Sequence, residues 1–178
     1  GHYFLMKILL SSILVIFLFF TNQAFSEQKI AFIDLDKVIS TSKSGSSILK
    51  QLTDLNNKNL KFLKNEEKKF KEKEIKLINK KNIVSETDFK NKVNELKSEI
   101  KNYNQNRNKI LEDFNKLKID NTNNLLKQIN PILTKYSTDN KISIILQKKD
   151  LIIGKTELDI TDEIIKIINV EIKEFKIK

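Results

Sequence analysis

Between Phe89 and Leu117 the apolar side chains come at alternating steps of four and three: Phe89, Val93, Leu96, Ile100, Tyr103, the single polar member Arg107, Ile110, Phe114 and Leu117. An α-helix turns once per about 3.6 residues, so a spacing averaging about 3.5 lays these side chains in one narrow seam that a second helix must cover. The chain therefore contains a long helix, and that helix needs a partner along its length. The partner lies upstream, where Ile48 to Ile83 reads as one helix. Leu52, Leu55, Phe62, Phe70 and Leu77 fall near a seven-residue repeat, flanked by Leu49, Leu63 and Ile78 and interrupted by Asn59 and Glu66. Val84-Ser85-Glu86-Thr87 breaks the pattern, and Ser85 with Asp88 three residues later makes a helix cap. Two antiparallel helices joined by so few residues form a hairpin whose arms reach roughly 50 Å at about 1.5 Å per residue.

The hairpin spans 48–138 with its tip near 84–87. Beyond Leu117 its register shifts to Leu125, Ile129, Ile132 and Tyr136, and Pro131 is expected to kink it. The flanks, 27–47 and 139–178, carry a different signal. Ile30-Ala31-Phe32-Ile33 is apolar on both faces, as in a strand covered on both sides. Were that strand to continue, Asp34 and Asp36 would point the same way, which in the absence of a third ligand reads as a solvated strand end. Ser40 to Ser47 is a break, with Ser46 or Ser47 capping the helix that follows. It holds one Gly and no Gly-Lys-Ser/Thr, so it is not a phosphate loop. After Asn140 the period changes to two: Ile142, Ile144 and Leu146 form a strand, and Leu151-Ile152-Ile153 a further one beyond a turn. Thr161 then caps a final helix striped by Ile165, Ile168, Ile172 and Phe175, with Asp162 and Glu163 where the helix dipole favours acids. The fold class is mostly α with a small β part.

Composition removes most chemistry. There is no Cys, and the one His is His2, ahead of a segment that reads as a secretory signal. That segment has Met6-Lys7, an apolar run from Ile8 to Phe20, and Ala24-Phe25-Ser26 as a cleavage site, with cleavage expected after Ser26. Residues 1–26 are thus an extension and signal. A mature chain without His or Cys lacks the commonest nucleophile, base and metal-ligand side chains, so neither catalytic residue, metal nor cofactor is expected. The charge is uneven. Of the formal +10, Lys7 contributes one, and the rest is the Lys and Arg excess of the hairpin; 27–47 and 139–178 each balance. A basic surface attracts acidic partners such as anionic lipid, lipopolysaccharide or acidic unfolded chains. The abundant Lys, Asn and Ile with scarce Arg equally reflect an AT-rich genome, and both readings stay open. Nucleic acid is not expected, because no aromatic platform interleaves the basic residues.

Two stretches then carry a resemblance. Lys29-Ile30-Ala31-Phe32-Ile33-Asp34 running to Val38-Ile39 and Ser42-x-x-Gly45 is similar to the opening strand, short helix and turn of the Skp/OmpH family. Ile144-Ile145-Leu146 with Leu158-Asp159-Ile160-Thr161-Asp162-Glu163-Ile164-Ile165 is similar to that family's closing motif. The resemblance covers essentially the whole mature chain. It implies a periplasmic, ATP-independent holdase: a homotrimer whose strands form a central barrel and whose three hairpins enclose a cavity for unfolded outer-membrane proteins. Client contacts in such a molecule are diffuse; on this chain they fall to Phe62, Phe70, Leu77, Ile83, Phe89 and Val93. Oligomerisation has independent support, since so few short strands cannot bury both faces alone. The competing reading is a structural or adaptor protein of a periplasmic transport complex. Its usual Gly-rich β-domains are missing from a chain with three Gly.

Overall fold

The computed structural model describes residue 3 and residues 28–178; the signal segment and its cleavage site lie outside the described residues. The order is β1 (Lys29–Ile33), α1 (Leu35–Thr41), α2 (Lys43–Asn79), α3 (Glu86–Asp139), β2 (Ile142–Gln147) and α4 (Thr161–Glu171), with 3-10 turns at Lys148–Asp150 and Thr156–Leu158. Among the described residues, no helix is long and apolar enough to cross a membrane.

β1 ends where Asp34 caps α1, its carboxylate accepting the Lys37 amide at 2.9 Å. Asp34 and Asp36 therefore never share a strand face, and the pair considered from the sequence does not form. Only one residue separates α1 from α2. Ser42 closes α1, its own amide donating to Val38, and its hydroxyl caps α2 by accepting the Gly45 amide at 3.2 Å. The cap is thus Ser42 rather than Ser46 or Ser47, and Gly45 lies inside the first turn of α2. A side chain there would collide with the Ile39 carbonyl, so Gly45 is what lets the two helices meet so closely.

Ser85 caps α3 as its spacing to Asp88 predicts, accepting the Asp88 amide at 3.2 Å. α3 then continues as one helix past Pro131 to Asp139. At its end Asn140 closes the helix and Lys141 takes a left-handed φ of 55°. That reversal aims the chain back along β1.

β1 and β2 pair in parallel, Ile30 opposite Ile144 and Phe32 opposite Leu146, with a register slip at Lys29. A parallel pair needs a crossover connection; here everything from α1 to α3 serves as it. Leu151-Ile152-Ile153 is not a third strand. Its backbone finds no ladder partner among the described residues, and Ile152 and Ile153 stand fully in solvent. One sheet face, Ala31, Ile33 and Ile145, packs on the helices. The other carries Phe32, covered by the backbone at Gly154, but leaves Ile30, Ile144 and Leu146 exposed. The expectation of cover on both sides is met on one side only.

The core joins that sheet face to the helix ends: Val38, Ile48, Leu52, Leu125, Ile129, Ile160, Ile164 and Ile168 are buried in it. α4 stops at Glu171, so Phe175 belongs to an extended tail and not to the helix stripe. That tail returns across α2 and α3, where Gln51 donates to the Phe175 carbonyl at 2.9 Å.

Candidate functional site

The seam between α2 and α3 can be followed from side-chain burial. From Leu52 onward the protected positions on α2 are Leu52, Leu55, Asn56, Asn59, Leu63, Glu66, Phe70 and Leu77. Phe62 lies one residue off this line and is half exposed. The polar residues that seemed to interrupt the stripe are therefore members of it. On α3 the protected line is Phe89, Val93, Leu96, Tyr103, Ile110, Phe114, Leu117, then Asn121, Leu125 and Ile129, with Ile100 just exposed.

A single well-ordered contact stands midway. Phe70 meets Tyr103 edge-on, 5.3 Å between ring centroids at 61°, an arrangement favoured by the ring quadrupoles. The Tyr103 hydroxyl donates to Glu67 at 2.8 Å and lies 3.3 Å from the Leu63 carbonyl. Burial and then the Glu67 hydrogen bond raise its pKa above the ordinary phenol value. Lys73 sits 5.9 Å over the Phe70 ring and bonds Glu99 on the facing helix.

The six candidate residues divide. Phe70, Leu77, Phe89 and Val93 are half-buried in the seam, where they hold one helix to the other; Phe62 and Ile83 point outward. The outward apolar set is larger than the sequence suggested. Leu60, Ile75, Ile78 and Ile119 are all more than half exposed, and Ile83 in the connecting turn is 81% exposed. Their signal was present: each is an apolar residue off the seam of a lysine-rich helix. Near the turn the two helices part enough to leave an open cleft of about 220 Å³, lined by Leu77 and Leu96 among Lys73, Lys76, Lys80, Lys92, Glu95 and Glu99. The arms thus present separated apolar side chains in a field of mobile cations rather than one continuous patch.

At the root the two sequence stretches that carry the family resemblance lie against each other. The Phe32 carbonyl accepts the Ile160 amide at 3.0 Å, and Phe32 bridges to Asp159. The Thr161 hydroxyl, buried, accepts the Asp34 amide at 2.9 Å and donates to Asp159. Thr161, expected from the sequence to cap α4, is instead its first helical residue, with Ile160 in the cap position; Asp159 just ahead accepts the Thr161 amide at 3.0 Å. Burial would raise the Asp159 pKa, but the Thr161 hydroxyl and amide and then the Lys148 ammonium outweigh it and hold the carboxyl below its usual value. Lys37 on α1 pairs with Asp162 at 2.8 Å, which raises the lysine.

The family described as outer membrane protein (OmpH-like) matches residues 29–168, from the first residue of β1 into α4. The chain belongs to the OmpH-like, or Skp/OmpH, family. The fold agrees. A solved structure of a candidate outer membrane chaperone (OmpH-like) from Caulobacter crescentus CB15 superposes with a TM-score of 0.77 at 12% sequence identity, covering 85% of this chain and 89% of the other. No curated protein sequence matches the chain. At that identity the shared feature is architecture.

Proposed function

We propose that this protein is an ATP-independent holdase of the periplasm, reached after cleavage near Ser26, that keeps unfolded outer-membrane β-barrel proteins from aggregating. The observation that carries the reading is the family match over 29–168 together with arms that expose isolated apolar side chains among lysines. Scattered apolar groups on adaptable side chains hold many sequences weakly and fix none of them. Phe62 and Ile83 would touch the client directly. Phe70, Leu77, Phe89 and Val93 would act mainly by stiffening the arm.

The working form is a homotrimer. Ile30, Ile144 and Leu146 on the open sheet face, together with the exposed Ile152 and Ile153, are apolar surface of the kind that monomers rarely leave uncovered. Strands from neighbouring copies would cover it and close the sheet into a barrel. α2 and α3 would then project as antiparallel hairpins around a cavity. The order of their contacts supports this: Lys73 meets Glu99, while Glu67 and Leu63, further from the turn, meet Tyr103. The basic excess of the arms offers a second attraction, toward acidic clients, anionic lipid or lipopolysaccharide.

Analytical ultracentrifugation of the chain from residue 27, alone and with a urea-diluted β-barrel protein, tests both claims. A trimer that takes up one client as a soluble complex is expected. A folded monomer, or a trimer that leaves the client to pellet, would overturn the corresponding part.

A further inference from the structure

The extended tail after α4 is held in an unusual way. Its backbone bonds go to two side-chain amides. Gln51 on α2 donates to the Phe175 carbonyl at 2.9 Å and accepts the Ile177 amide at 3.2 Å. Asn121 on α3 donates to the Lys178 carbonyl at 3.2 Å and accepts the Lys178 amide at 3.3 Å. Asn121 is 4% exposed, a buried amide within the seam, a placement that costs stability unless its hydrogen bonds are made. Along the tail, Phe175 and Ile177 turn inward and Lys173, Lys176 and Lys178 outward. No tail side chain enters these bonds. The site thus reads an extended main chain with apolar side chains two residues apart, which is how a sheet edge accepts a strand. Beside the tail an open cleft of about 450 Å³ continues along α3 past Asn124 and Gln128.

We infer that the groove across the root of the arms, marked by Gln51 and Asn121, is a binding site for extended polypeptide, and that residues 172–178 occupy it in cis. The partner is a segment of an unfolded β-rich client with apolar residues at alternate positions, which displaces the tail. The inference rests on the holdase reading for the identity of the partner, and not for the groove itself. It gives the chaperone a main-chain contact that does not depend on client sequence, distinct from the apolar contacts of the arms. The tail keeps the groove closed to partners that cannot outcompete it.

The test uses fluorescence anisotropy with a labelled peptide of the tail sequence, Ile172 to Lys178. Three proteins are compared: the chain from residue 27, the same chain ending at Glu171, and that shortened chain carrying Gln51→Leu. Far-UV circular dichroism first establishes that each is folded. Binding is expected to the shortened chain, at least tenfold tighter than to the intact one. Gln51→Leu should weaken it about tenfold, the expectation for two hydrogen bonds lost. An unlabelled amphipathic strand from an outer-membrane β-barrel should compete, and the same strand with its alternation scrambled should not. If the shortened chain is too unstable, intact chain with Gln51→Leu and Asn121→Leu replaces it, and protection of the Ile177 and Lys178 amides from hydrogen exchange should fall. No binding to a folded shortened chain, or binding indifferent to Gln51→Leu, overturns the groove. Binding of the tail peptide without competition from client strands overturns the client as partner. Loss of competition together with failure to suppress aggregation traces the fault to the holdase reading instead.

Discussion

Gly45→Ala sets two magnitudes against each other. By helix propensity alone, Ala in place of Gly in a helix gains about 1 kcal/mol. In this structure, however, the added Cβ would run into the Ile39 carbonyl oxygen, lie 2.8 Å from the Ile39 carbonyl carbon and 2.9 Å from the Ser42 hydroxyl that caps α2. Two of those three atoms are backbone, at the junction where α1 turns into α2 with Ser42 and Ser44 fully buried beside it. They cannot swing aside as a flexible side chain would. Overpacking of this kind costs about 1–3 kcal/mol, and a contact with backbone belongs at the upper end. The net expectation is destabilisation by about 1–2 kcal/mol. With a urea slope of about 2 kcal/mol/M, the unfolding midpoint followed by circular dichroism should drop by about 0.5–1 M. Protein concentration is held constant, because oligomerisation shifts apparent stability. The exposed neighbour Ser46→Ala, in the same turn, is the control and should leave the midpoint nearly unchanged. A Gly45→Ala protein as stable as its parent, or more so, would refute the claim that Gly45 exists for close approach.

Other consequences can be measured in the same way. Lys141 holds a left-handed φ of 55° just past the end of α3, so Lys141→Gly should stabilise the protein by about 1 kcal/mol in urea unfolding. Asp159 is held below its ordinary value when folded, so its contribution is present above about pH 4, its unfolded range, and is lost as pH falls through the lower folded value. Asp159→Asn should therefore flatten the fall in urea midpoint between pH 5 and pH 3, and identical slopes would contradict the assignment. Replacing Ile75, Ile78 and Ile83 by Ser should leave stability within about 0.5 kcal/mol per site, as exposed positions allow. The same protein should suppress aggregation of an unfolded β-barrel less well, as light scattering would show.

The long-range plan was legible because its signals are periodic. The seam from Phe89 to Leu117 appears in α3 with Ile100 and Arg107 outside the buried line, and Ser85 caps that helix as its spacing to Asp88 requires. What was illegible depends on partners distant in sequence. Phe62 reads as a seam residue because the eye follows apolar residues, whereas packing follows geometry and draws in Asn56, Asn59 and Glu66 to keep step. Leu151-Ile152-Ile153 has strand composition but lacks a ladder partner within the described chain, and composition cannot supply one. Phe175 continues the α4 stripe in sequence, yet Gln51 and Asn121 take its segment out of the helix. The role of Thr161 was half visible: a cap residue by type, it serves as the bridge between the first strand and the last helix, and no local pattern reveals the Asp34 amide as its partner. On the arms, the four seam members of the candidate set were recognisable as apolar, but separating them from the exposed Phe62 and Ile83 required the burial of the facing helix.

As a holdase, the chain is expected to hold an unfolded client without a cofactor. A urea-unfolded outer-membrane β-barrel diluted into nucleotide-free buffer, with and without the chain from residue 27, tests it by light scattering. Suppression that saturates near one trimer per client is expected. Undiminished scattering in the presence of folded, helical protein would contradict it.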